Sequence, residues 1–260
     1  MTAPAFIQRG TGTTAVVMLH GVGGGRDAFR PQMEPLAAAG YRAVAWDMPG
    51  YGESAPISPY DMAGLASAAV RLLHAIDASH VVLLGHSMGA MIAQEVMVQA
   101  PHRISGLVLS ATSPAFGKAE GAWQQAFLAE RLGPLDAGKT MADVAARLVP
   151  GMVGEGFSPE GAGLAAAIMS RVPPATYRAA LAALMGFDRR AALADIRVPT
   201  LVVAGELDTA APAPVMEKMA ARIPGAEYVV LPGAGHLANL EQPQAFNAVL
   251  LAFLTQHFPV

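Results

Sequence analysis

A chain of 260 residues, 53% hydrophobic and only 14% charged, has material for one large α/β domain, or for one domain with a modest insertion. Its net charge of −3, with no basic block, offers no electrostatic footprint for nucleic acid or for an anionic membrane surface. The absence of cysteine excludes disulfides, thiolate nucleophiles and thiolate-held metals.

From Met1 to Gly12 there is no charged-then-apolar pattern of an export signal. Apolar runs such as 16–19 and 248–254 are too short to cross a bilayer. The expectation is a soluble, cytoplasmic protein that engages neither membrane nor nucleic acid; nothing in the sequence sets its oligomeric state.

The first predicted strand, 15–19, runs into His20-Gly21-Val22-Gly23-Gly24-Gly25. Glycines free a backbone to aim N–H groups at developing negative charge, and the N–H of Val22 is a candidate for half of an oxyanion hole. A phosphate-binding reading fails, because no Lys-Ser/Thr follows these glycines and no dinucleotide fingerprint can be assembled. A helix over 29–39, a strand over 43–46, the loop Asp47-Met48-Pro49-Gly50-Tyr51-Gly52-Glu53-Ser54 and a helix over 62–76 follow.

Strand 81–84 ends in Gly85-His86-Ser87-Met88-Gly89, and a helix is predicted over 88–100. A nucleophilic serine needs a sharp strand-to-helix turn that lifts its hydroxyl clear of the sheet. Glycines must flank it, because a Cβ there would strike the neighbouring strand or helix. Ser87 is therefore the candidate nucleophile, with the N–H of Met88 as the second oxyanion donor at a helix N-terminus.

After strand 106–109 the regularity breaks. Residues 113–193 hold short helical patterns interrupted at Gly133-Pro134, Pro150-Gly151, Ser158-Pro159 and Pro173-Pro174, with no convincing strand. An all-helical insertion is expected, since a structureless loop of that length is improbable. Its apolar residues Phe116, Trp123, Phe127, Met152, Phe157 and Met169 need a surface to cover. Most serve ordinary packing, and a few line a cavity; Trp123, Phe127 and Met152, with Leu237, are the candidate substrate contacts. The division is then 1–112 and 194–260 as core and 113–193 as cap.

Strand 200–204 leads to Glu206 and Asp208, helix 214–222 follows, and strand 228–231 leads to His236, before a last helix over 243–255. Ser87, Asp208 and His236 all fall just past strand ends, in the chain order expected of a serine nucleophile, its orienting acid and its base. Glu206 is the competing acid, and Asp208 has the helix-cap role as its alternative. His20 and His86 are read as holding turns, and no His/Asp/Glu cluster has metal-ligand spacing. The strands are mostly continuous apolar runs, which fits a mainly parallel sheet covered by helices on both faces, an α/β fold.

These residues resemble the α/β-hydrolase superfamily from about residue 15 to 254. Gly85-His86-Ser87-Met88-Gly89 with Met91-Ile92-Ala93-Gln94, and the run from Gly235 to Pro243, are similar to the branch of 3-oxoadipate enol-lactonases and small carboxylesterases. The resemblance implies a helical cap, no cofactor, and hydrolysis of a small-molecule ester or lactone. It also implies two or three antiparallel strands at the start, of which at least one must be missing or reduced here. Related dehalogenases and epoxide hydrolases use an aspartate where this chain has Ser87. Carbon–carbon hydrolases of ring-cleavage products keep the triad but carry tryptophan where this chain has Leu237, which leaves them the runner-up. A perhydrolase would need the same triad. A binding protein on this fold is the rival from another class, and would be expected to have lost a triad member. An enol-lactone acid would call for a cation, and Arg131, Arg147, Arg171 and Arg178 all lie in the cap segment.

Overall fold

The computed structural model describes residues 2–117, 120–155 and 158–260; Phe157, one of the apolar residues of the insertion, lies outside them. Seven strands form one sheet: β1 Phe6–Arg9, β2 Thr14–Leu19, β3 Arg42–Trp46, β4 His80–His86, β5 Gly106–Ser110, β6 Thr200–Gly205 and β7 Glu227–Leu231. Their order is β1-β3-β2-β4-β5-β6-β7, and every pairing is parallel except that of β1 with β3. The fold is that of an α/β-hydrolase with its N-terminal antiparallel edge reduced to the single short β1.

Burial explains why the strands read as continuous apolar runs. Every residue of β2, β5 and β6 is buried. Alternate side chains go to opposite faces: Ala15, Val17 and Leu19 join the core on one side, Val16 and Met18 the core on the other. The first face is covered by α2 (Met62–Ile76), α3 (Met88–Gln99) and α8 (Ala213–Ala220), the second by α1 (Arg30–Ala38) and α10 (Pro243–His257).

Between β5 and β6 run α4 (Ala122–Asp136), α5 (Met141–Leu148), α6 (Pro159–Met169) and α7 (Pro174–Leu184). The prolines act as punctuation. Pro159 and Pro174 open helices at a position where the lost N–H had no partner anyway. The interruption expected at Gly133-Pro134 is absent, because α4 continues through Pro134 to Asp136. That proline falls in the last turn, where it forfeits only one internal bond close to the helix end. The segment leaves and returns at one place: Phe116 N–H donates to Phe187 O at 2.9 Å and Arg189 N–H to Pro114 O at 2.7 Å. Its buried residues, among them Met141, Val144, Leu148, Tyr177 and Leu181, belong to the same apolar cluster as α2 and α3. Among the described residues no helix is long and apolar enough to cross a membrane.

Candidate active site

Because β2, β4, β6 and β7 are parallel, the loops that follow them emerge at one edge of the sheet. Ser87 sits between β4 and α3 with φ +52° and ψ −121°, a region non-glycine residues rarely occupy. Such a strained turn persists only where its surroundings enforce it. Ser87 N–H donates to Ser110 O at 2.9 Å, and Ser87 O accepts from Thr112 Oγ1 at 3.1 Å. A Cβ on Gly85 would overlap the Ala90 backbone, and one on Gly89 the Leu19 carbonyl. Both glycines are thus fixed by close backbone approach.

The imidazole of His236, from the loop after β7, lies with Nε2 3.0 Å from Ser87 Oγ and Nδ1 2.8 Å from Asp208 Oδ2. Asp208, in the loop after β6, is buried, and its other oxygen accepts from the N–H groups of Ala210 and Ala211 at 2.8 and 2.9 Å. Burial alone would raise its pKa. The facing imidazole and the two amides outweigh burial and hold the carboxyl below its ordinary value. An ionised Asp208 accepts from Nδ1–H, which leaves Nε2 as the acceptor facing the serine hydroxyl. Glu206 points elsewhere, accepting from Gly233 N–H at 2.8 Å on the exposed side.

The directions of the Val22 and Met88 N–H groups, the candidate oxyanion donors, follow from peptide planarity. Gly21 O accepts from Gly24 N–H at 3.0 Å and from His20 Nδ1 at 2.8 Å, so the trans peptide aims the N–H of Val22 the opposite way. Ser87 O is likewise held by Ala90 N–H and Met91 N–H at 3.0 and 3.2 Å, so the N–H of Met88 points back from the start of α3. Val22 and Met88 both border the cavity that holds Ser87 and His236.

The two remaining site histidines are held by backbone. His20 Nε2 accepts from Met48 N–H at 3.0 Å, so its proton is on Nδ1. His86 Nε2 donates to His236 O at 2.8 Å. Burial lowers each to a pKa of about 4, and for His86 the nearby His236 adds to the effect. Tyr51 was not singled out from the sequence, yet its hydroxyl donates to Val22 O at 2.7 Å and so steadies the glycine-rich loop after β2 from behind.

The cavity measures about 150 Å³. Trp123, Phe127, Met152 and Leu237 all lie on its wall. Phe116, Trp123 and Phe127 form an aromatic trio with centroids 5.1 to 5.5 Å apart. Of Arg131, Arg147, Arg171 and Arg178, Arg131 borders the cavity, with its guanidinium carbon 3.5 Å from the Phe127 ring centroid and one nitrogen 2.8 Å from Glu130 Oε2. Arg171 instead pairs with Asp27 at 3.1 Å, Arg178 with Asp136 at 2.6 Å, and Arg147 is exposed. Among the described residues no group of three His, Asp or Glu is placed to hold a metal ion.

The family profile for the alpha/beta hydrolase fold matches residues 14–243. A protein of Mycobacterium tuberculosis that carries the name of a non-heme bromoperoxidase, BpoC, is 30% identical over 257 residues, covering 96% of each chain. A pimeloyl-[acyl-carrier protein] methyl ester esterase of Pectobacterium atrosepticum is 30% identical over 97% of this chain and 99% of its own. The solved thermophilic esterase of Thermogutta terrifontis superposes with a TM-score of 0.86 at 26% identity, over 97% of this chain and 93% of that one. With that match, and a serine poised between a strand end and a helix, the chain belongs to the α/β-hydrolase family and, within it, to the branch of small esterases.

Proposed function

We propose that this chain is a serine hydrolase of small carboxylic esters or lactones that works through an acyl-enzyme. The observation that carries the reading is the unbroken relay from Ser87 Oγ to His236 Nε2 at 3.0 Å and from His236 Nδ1 to Asp208 Oδ2 at 2.8 Å, with the serine on a strained turn. Ser87 Oγ adds to the substrate carbonyl as His236 Nε2 takes its proton, and Asp208 stabilises the imidazolium. The carbonyl oxygen becomes an oxyanion that the N–H groups of Val22 and Met88 stabilise. The intermediate collapses, His236 returns the proton to the leaving alkoxide, and an ester between Ser87 and the acyl group remains. Water, deprotonated by the same imidazole, attacks this ester and releases the acid.

Residues 113–193 serve, in this reading, as a cap that selects substrates, since that segment as a whole supplies the larger share of the apolar residues on the cavity wall. A cavity of about 150 Å³ is close to what a benzene-sized group occupies, which favours short or compact acyl groups. Arg131 favours a substrate whose far end carries a carboxylate, as an enol-lactone acid does. The test is rapid mixing with an activated aryl ester. A burst of phenol equal to the enzyme concentration is expected, and its absence alongside slow linear binding would favour a non-catalytic binding protein.

A further inference from the structure

His236 does not hold its own loop. The residues on either side of it are bound by one buried side chain, that of Glu241 in the short helix α9 (Ala238–Glu241). Glu241 Oε2 accepts from Gly235 N–H at 2.9 Å, and Oε1 accepts from Leu237 N–H at 2.8 Å. The same Oε2 accepts from Gly154 N–H at 2.6 Å, across 87 residues of sequence. Gly154 belongs to the insertion, in the stretch between α5 and α6.

A second bond joins the same two segments directly: His236 N–H donates to Met152 O at 2.7 Å. The approach is close enough to require glycine on both sides. A Cβ on Gly154 would overlap the Gly233 carbonyl, and one on Gly235 would lie 2.7 Å from Gly154 N and from Met152 O. Met152 meanwhile lies on the cavity wall. One residue of the insertion thus both borders the ligand space and holds the backbone of the base with its carbonyl.

We propose that Glu241 is a positioning residue: its carboxylate clamps the backbone on both sides of His236 to the 152–154 segment, so that the imidazole reaches Ser87 only while that segment is seated. Glu241 does not border the cavity and touches no reacting atom. It acts through the backbone of the base. Three amides converging on one carboxylate are charge-assisted bonds, roughly twice as strong as neutral ones, and all lose that assistance when the acceptor becomes an amide. Glutamine has one acceptor oxygen and must turn its NH₂ toward at least one of the three N–H donors.

The inference rests on the serine-hydrolase reading, and the experiment separates the two. Glu241→Gln is compared with wild type and with Ser87→Ala for kcat and KM on a small neutral ester, per folded molecule, and for the downfield proton resonance of the His236–Asp208 hydrogen bond. The expected result is a kcat lower by about tenfold or more, KM changed less than about threefold, and a resonance that broadens or shifts while the protein stays folded. Wild-type kcat and an unmoved resonance in folded Glu241→Gln would overturn the proposal, as would a loss of activity fully accounted for by the unfolded fraction. If Ser87→Ala retains activity, it is the hydrolase reading that fails instead. Should Glu241→Gln not fold, amide exchange in the wild type decides. Gly154, Gly235 and Leu237 should open together and gain protection together when Ser87 is phosphonylated; independent exchange of Gly154 would overturn the clamp.

Discussion

The strand-end platform and the helices between β5 and β6 are built to different tolerances. On the platform, Ser87, Asp208 and His236 are each pinned by backbone groups, and Gly85, Gly89 and Gly235 have no room for a Cβ. In the insertion, α4 has no buried residue at all, and Trp123 is 51% exposed although it borders the cavity. The groups proposed for the chemistry sit where packing leaves one arrangement, whereas α4, which brings Trp123 and Phe127 to the cavity, sits where packing is loose. Chemistry needs sub-ångström placement, whereas selection among acyl groups needs only shape. The Met152–Gly154 stretch is where the two regimes touch.

That contrast can be broken at the platform first. Ser87→Ala should lower ester hydrolysis by about 10⁶-fold, with a residual rate above the uncatalysed one because the oxyanion donors remain. Asp208→Asn should cost about 10⁴-fold, since an amide facing Nδ1 favours the wrong imidazole tautomer. Glu206→Gln should leave the rate within about twofold, because its carboxylate serves only Gly233 N–H on the exposed side. Steady-state kinetics of the three variants checks all of this; a harmful Glu206→Gln and a silent Asp208→Asn would reverse the choice of acid.

Acid should strain the platform rather than the insertion. His20 and His86 resist protonation in the fold down to about pH 4, whereas in the unfolded chain they take up a proton near pH 6.5. Between those values the unfolded state binds more protons, so stability falls as pH falls; above about 6.5 this contribution is fully present. Each histidine should cost about 3 kcal/mol by pH 4. Urea midpoints measured from pH 7.5 to 4.5 should decline, and His86→Gln, whose amide can still donate to His236 O, should flatten the slope. A slope unchanged in His86→Gln would count against the buried neutral histidine.

The smallest effects belong to the loose side. Trp123→Ala should change the ratio of kcat/KM between short and bulky esters by about tenfold while lowering Tm little, since half of the ring is already in solvent. Arg131→Met should lower kcat/KM for a carboxylate-bearing lactone by more than for a neutral ester of the same size. Equal losses on both substrates would remove the guanidinium from substrate recognition.

The same contrast governs what could be read from the sequence. Strands β2, β4, β5 and β6 were legible because both faces are covered, so each is an unbroken apolar run. The serine turn was legible because close backbone approach writes itself as glycine at fixed spacing. Strand β1 was not: Phe6–Arg9 is a half-exposed edge strand, and its partner is β3, more than thirty residues away. Glu241 lies in the Gly235–Pro243 run that carries the resemblance, but its role left no signal because its partners are backbone N–H groups, which every residue type but proline possesses. Tyr51 is hidden for the same reason, as its hydroxyl meets a carbonyl. Choosing Arg131 among four arginines needs to know which flank of α4 borders the cavity, and α4 has too little burial to carry a period.

The central claim is that Ser87 forms the covalent intermediate, and the most direct measurement is mass spectrometry of the intact protein after brief exposure to a slowly deacylating aryl ester, followed by peptide mapping. The account predicts one acyl group per chain, on the peptide that contains Ser87, absent in Ser87→Ala and formed far more slowly in Asp208→Asn. Turnover of the ester with no acylated species at any time, or acylation at another residue that tracks activity, would contradict it.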